Sequence, residues 1–147
     1  MKLLAFDPGK TTGVALVELE DKKLTLLHTD QIREIKANQV LQLVKECDVV
    51  ICENFLVRPN RARTGAFDWN SMEPVRVIGL IQGVAEMEDR KFVLQEPAIK
   101  PMGFGWAGLK YVPGKKGTHS QDAVAHAVYY AVKVLHALPL GTGSRGN

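Results

Sequence analysis

The sequence predicts a mixed α/β sheet flanked by helices, and three observations predict it. Short strand-like apolar runs joined by tight turns fill residues 3 to 28, which reads as an antiparallel meander. From Asn38 onward the pattern becomes helix, strand, helix, strand, helix, the alternation that adds further strands to a sheet. The run VVIC at 49–52 is apolar without interruption, as in a strand covered on both faces.

In chain order, Leu3 to Asp7 forms the first strand, and Pro8 with Gly9 breaks it, leaving the Asp7 carboxylate at its open end. Thr12 to Glu18 is the second strand, Asp21-Lys22-Lys23 a turn, and Leu24 to His28 the third, with His28 exposed at its end. Asn38 caps a helix through Glu46 whose stripe is Val40, Leu41 and Val44. Asp48 to Glu53 is the fourth strand. Residues 54–70 have no clean period and form a long loop carrying Arg58, Arg61, Arg63, Phe67 and Trp69. Ser71 caps a helix to Asp89 with Pro74 in its first turn and Val75, Ile78, Ile81 and Ala85 on one face. Gly79 and Gly83 in that helix admit a close backbone, either the sheet or a second subunit. Lys91 to Gln95 is the fifth strand. Residues 97–117, rich in Gly, Pro and Lys, receive no regular element, and the last helix runs from His119 to Leu138. The expected domain is 1–140, with GTGSRGN at 141–147 a disordered tail.

A chain of 147 residues with 46% hydrophobic and 24% charged residues suits one soluble domain with an apolar core. A formal charge of +3 does not by itself announce a nucleic-acid binder. Its distribution says more. Arg58, Arg61 and Arg63 occur without an acid in 58–63, as do Lys100, Lys110, Lys115 and Lys116 in 100–117, which gives local positive fields. Cys47 and Cys52 make no disulfide framework, and Cys52 inside VVIC is a buried thiol. MKLLAF mimics the start of a signal peptide but ends too early at Asp7, and no run reaches membrane-spanning length. The expectation is a cytoplasmic protein with no membrane partner.

Chemistry collects at element ends. Asp7 alone reads equally well as a turn acid bonded to backbone. Glu53 also ends an apolar strand, and if the first and fourth strands lie side by side and parallel, the two acids share a small volume. Carboxylates that close repel unless one is protonated or a cation lies between them, and an all-oxygen set favours Mg²⁺ or Mn²⁺. Thr118 and Gln121 make a capping box, so His119 lies in the first helical turn and Asp122 on the same face. His126, four residues on, also reaches that face and reads as a structural hydrogen-bonder.

These residues carry a family resemblance. FDPGKTTG resembles the first motif of the RuvC family of Holliday junction resolvases, VVICENF its second, and HSQDAVAHAVYYA its last, in matching order over nearly the whole chain. The resemblance implies an RNase H-like fold, a five-stranded mixed sheet, and divalent-metal cleavage of DNA by a homodimer at four-way junctions. It implies a two-ion site of Mg²⁺, with Mn²⁺ able to substitute, in which Asp7 is shared, Glu53 holds one ion, and Asp122 with His119 holds the other. His119 acting as a base on water is the other role open to it. Phe55 stands two residues past Glu53, where the family aromatic stands three past; it either stacks on a base or packs in the core. Arg58, Arg61, Arg63, Lys110, Lys115 and Lys116 would contact phosphates. The short chain would suit a compact, phage-type member, acting in the host cytoplasm.

Three other readings compete. An RNase H-like nuclease on RNA, of the YqgF type, keeps the fold; the His119/Asp122 pair and the Gly-bearing helix at 71–90 favour the junction instead. DPGKTTG also resembles the phosphate hairpin of actin-like ATPases, which need a second lobe for which this length leaves no room. A non-catalytic nucleic-acid binder gives no reason for acids at two strand ends and a helix start.

Overall fold

A computed structural model describes residues 1–55, 72–112 and 118–140. Five strands, β1 (Lys2–Asp7), β2 (Thr11–Glu20), β3 (Lys23–Arg33), β4 (Val49–Glu53) and β5 (Lys91–Gln95), form one sheet in the order β3-β2-β1-β4-β5. β1 pairs antiparallel with β2, and β2 with β3; β1 and β4, and β4 and β5, run parallel. The described helices are α1 (Ala37–Val44), α2 (Glu73–Met87), α3 (Lys100–Ala107) and α4 (His119–Lys133). The mixed sheet is the one the sequence predicts.

Strand alternation divides the core into two layers. Leu4, Phe6, Val14, Leu16, Val50 and Cys52 face α1 and α2, where Val40, Val44, Val77, Ile78, Ile81, Val84 and Ala85 meet them. Leu3, Ala5, Ala15, Val17, Val49 and Ile51 face α4, against Ala123, Val124, Ala127, Val128 and Ala131. The central strands are apolar on both faces because both faces are covered, and each large side chain so buried contributes about 1.5–3 kcal/mol. Asp7 and Glu53 continue the odd-numbered rows, so both open onto the α4 side.

The boundaries differ from expectation in several places. The first helix is capped by Lys36 rather than Asn38: the Gln39 side chain accepts from the Lys36 amide at 2.9 Å. β3 runs on to Arg33, well past His28, which is exposed as expected. α2 begins after Met72, which offers no side-chain cap, and Ser71 lies outside the described residues. Val75 is 39% exposed rather than on the buried face. A Cβ at Gly79 or Gly83 would meet nothing within 4 Å, so neither glycine packs against the sheet.

The larger correction is at 97–107, where a 3₁₀ turn (Pro97–Ile99) leads into α3. Pro101 is tolerated because first-turn amides have no helical partner. Gly103 and Gly105 lower helix propensity, yet packing overrides it. A Cβ on Gly103 would lie 2.4 Å from the Ala125 carbonyl oxygen, so glycine is what lets α3 rest on α4. α4 stops at Lys133 rather than Leu138, and His136 beyond it adopts a left-handed φ of 60°. The loop with Arg58, Arg61, Arg63, Phe67 and Trp69, the segment with Lys115 and Lys116, and the expected tail at 141–147 lie outside the described residues. Among the described residues no helix is long and apolar enough to cross a membrane.

Candidate metal centre

Three elements end at one place. Phe6 pairs with Cys52 in the parallel ladder, so Asp7 and Glu53 follow as neighbours at the C-terminal ends of β1 and β4. Next along the same row, Glu53 pairs with Gln95 at the end of β5. The third element, α4, arrives through its start. Thr118 caps it as expected, accepting from the Gln121 amide at 3.2 Å while Gln121 Oε1 accepts from the Thr118 amide at 3.3 Å.

One row of the sheet fixes where that helix lands. Asp7 pairs with Gly13, and Gly13 with Gln31. A Cβ on Gly13 would lie 1.9 Å from the His119 carbonyl oxygen, so the first turn of α4 sits directly on bare backbone there. Gln31 Oε1 accepts the His119 amide at 2.9 Å, occupying one of the helix's unpaired N-terminal donors. The His119 ring then reaches Asp7, Nδ1 to Oδ2, at 2.8 Å.

Asp7, Glu53 and Asp122 each offer a carboxylate oxygen, and these lie within 4.8 Å of one another. Asp7 is 7% exposed and Glu53 9%. Burial, and then the negative charge of Glu53, push the Asp7 carboxyl up to about 7. Burial pulls Glu53 the same way, but the hydrogen bond from His126 and the charge of Lys100 win and hold it below its ordinary value. Lys100 Nζ lies 3.1 Å from Glu53 Oε1 and 3.4 Å from Asp122 Oδ2. Burial would lower its pKa, yet the charges of Glu53 and Asp122 outweigh that and raise it. A crowded acid with its proton held up to about 7, and an ammonium drawn between the other two, mark a cluster that wants positive charge. The donor set fits a hard divalent cation, since all three ligands are carboxylate oxygens.

Of the residues singled out from sequence, Asp7, Glu53, Asp122 and His119 come together. Phe55 is half-buried and packs on the α1/α2 core layer. Lys110 is exposed just beyond α3. His126 is a hydrogen-bonder, fully buried, with Nε2 at 2.9 Å from Glu53 Oε2. Sequence reasoning missed three contributors. Lys100 reads in the sequence only as one basic residue among several in 100–117. Gln95 ends an apolar strand just as Asp7 and Glu53 do, so the strand-end criterion would have found it. Gln31 carried no signal, because the third strand was expected to end at His28.

No family model matches the sequence, and no curated protein does. Solved structures do match. Thermus thermophilus RuvC in complex with a Holliday junction substrate superposes with a TM-score of 0.68 at 18% identity, covering 95% of this chain and 100% of that one. The fold is that of RuvC. A second structure of Thermus thermophilus RuvC gives 0.64 at 20% identity over 95% of this chain and 100% of that one. Fowlpox virus resolvase in complex with Holliday junction DNA gives 0.55 at 13% identity, covering 92% and 97% respectively. The mixed sheet with helices on both faces is thus the RNase H-like fold that the RuvC resemblance implied, over nearly the full length of both chains.

Proposed function

We propose that this protein is a divalent-metal-dependent endonuclease that resolves four-way DNA junctions by paired, symmetric nicks. The observation that carries this reading is the meeting of Asp7, Glu53 and Asp122 at two strand ends and a helix start. The fold shared with Thermus thermophilus RuvC and Fowlpox virus resolvase, both solved in complex with a Holliday junction, supports it.

Asp7, Glu53 and Asp122 would hold two Mg²⁺ ions, or Mn²⁺ in their place. When bound, such ions activate water and offset charge on the departing 3′ oxygen. Asp7, beside Glu53 and His119, would hold a cation as the ionised carboxylate, its proton released to solvent. His119 then donates from Nδ1 to Asp7, which leaves Nε2 to take a proton from the attacking water. Lys100, paired here with Glu53 and Asp122, would be released toward the phosphate if cations neutralised those acids. Arg58, Arg61, Arg63, Lys110, Lys115 and Lys116 contact the DNA arms in this reading. Two symmetric cuts call for a homodimer, and α2 offers its outer face, with Gly79 and Gly83 open and Val75 and Met87 exposed.

The test incubates the protein with a synthetic four-way junction, a linear duplex and an RNA–DNA hybrid. Paired symmetric nicks on the junction in Mg²⁺ or Mn²⁺, abolished by chelator, are expected. Equal cutting of the linear duplex, or preference for the hybrid, contradicts the proposal.

A further inference from the structure

Behind the acid cluster lies a buried polar chain: Gln95 on β5, His126 on α4 and Glu53 on β4. We infer that His126 is a positioning residue for Glu53, locked by Gln95 as the neutral Nε2–H tautomer. So locked, it holds one carboxylate oxygen and leaves the other for a cation. The inference rests on the metal-centre reading above and goes beyond it.

The argument starts at a main-chain carbonyl. Gln95 Nε2 lies 2.9 Å from the His126 carbonyl oxygen, which can only accept. The amide nitrogen rather than its oxygen must therefore face that carbonyl, since two oxygens so close would repel. The same Gln95 nitrogen is 3.1 Å from His126 Nδ1. With one hydrogen on the carbonyl, its second is directed at the ring, so Nδ1 accepts and carries no proton. A neutral imidazole with a bare Nδ1 has its hydrogen on Nε2. That nitrogen is 2.9 Å from Glu53 Oε2 and donates to it.

His126 is fully buried, Gln95 is 8% exposed, and the chain has no slack. Glu53 Oε2 is occupied by His126, while Oε1 faces Lys100 at 3.1 Å on the side of Asp122. One oxygen is thus committed to the protein, and the other is presented to the cluster. Partners that fix the orientation of a metal-binding carboxylate commonly matter about 10- to 100-fold in metal affinity or activity. Asp122 and His126, four apart on α4, let one helix supply both an acid of the cluster and the donor that aims a second.

Two measurements test this. In protein labelled with ¹⁵N-histidine, long-range ¹H–¹⁵N correlations read the tautomer, and the resonances absent from His126→Gln identify the ring. The expected pattern is a protonated Nε2 and a bare Nδ1; a protonated Nδ1, alone or with Nε2, overturns the inference. Separately, Mn²⁺ binding is followed by calorimetry in the wild type, His126→Leu and His126→Gln, with folding checked by circular dichroism. Leu should weaken binding at least about 10-fold, and Gln, whose amide reaches the place of Nε2–H, should recover most of it. Unchanged binding in a folded His126→Leu, or a folded His126→Gln no better than Leu, overturns the inference. Should Leu not fold, Gln against the wild type still decides: near wild-type binding supports, and a 10-fold loss overturns. A wild type that binds no Mn²⁺ would sink the metal-centre reading itself, a separate result from the tautomer.

Discussion

The two faces of the sheet are made by the same strands, one residue out of step. Toward α1 and α2, the even-numbered positions of β1 and β4 after Lys2 are Leu4, Phe6, Val50 and Cys52, and that layer is apolar to its end. Toward α4, the odd-numbered positions begin with Leu3, Ala5, Val49 and Ile51, then finish in Asp7 and Glu53. The apolar rows secure the strands, and the last residue of the odd rows spends that rigidity on holding acids together. Cys52 and Glu53, adjacent in sequence, illustrate the split. Burial pushes the Cys52 thiol far up and leaves it inert, while Glu53 finds donors and stays ionised.

The sharpest way to break the comparison is to lift α4 off its row. Gly13→Ala places a methyl where the His119 carbonyl already is, and should cost about 4 kcal/mol or more, with junction cleavage lost. Denaturant unfolding checks it; a loss under about 1 kcal/mol would mean that the helix start is not held there. On the other face, Ile81→Ala should cost about 2–4 kcal/mol by leaving a cavity. Cleavage by the surviving folded fraction should match the wild type, because no acid is touched.

A smaller effect has the opposite sign. Asp7 carries its proton up to about pH 7 in the folded chain. An unfolded Asp releases it near pH 4. Its contribution to stability is therefore full below about pH 4. It is lost as pH rises through about 7. Asp7→Asn, free of that loss, should melt about 3–6 °C higher than the wild type at pH 8 in chelator. The gap should close at low pH, and an equal or lower melting point at pH 8 would refute the crowding of the acids. Smallest is Gly79→Ala on the open side of α2, where propensity alone should add about 0.5–1 kcal/mol to subunit stability. If the protein is the proposed dimer, a shift toward monomer in ultracentrifugation would place α2 at its interface.

How much of this was legible depended on whether the cause was local. β1, β4 and β5 announced themselves through apolar runs, and the start of α4 through its Thr118/Gln121 capping box, so the meeting of Asp7, Glu53, His119 and Asp122 was legible from element ends. α3 was not, because Pro101, Gly103 and Gly105 argue against a helix and only contact with Ala125 explains Gly103. Missing α3 hid the reach of Lys100, which is set by where that helix begins. The Gln95–His126–Glu53 chain joins residues 31 and 73 positions apart, and no local pattern carries such information.

The central claim is that Asp7, Glu53 and Asp122 act as one cation-dependent cleavage centre. Single-turnover cleavage of a four-way junction in Mg²⁺ by Asp7→Asn, Glu53→Gln and Asp122→Asn, beside junction binding in Ca²⁺, tests it most directly. Each variant should bind the junction like the wild type and cut it about 10³-fold more slowly. Cutting within about 10-fold of the wild type by any of the three, or binding that collapses together with cleavage, would contradict it.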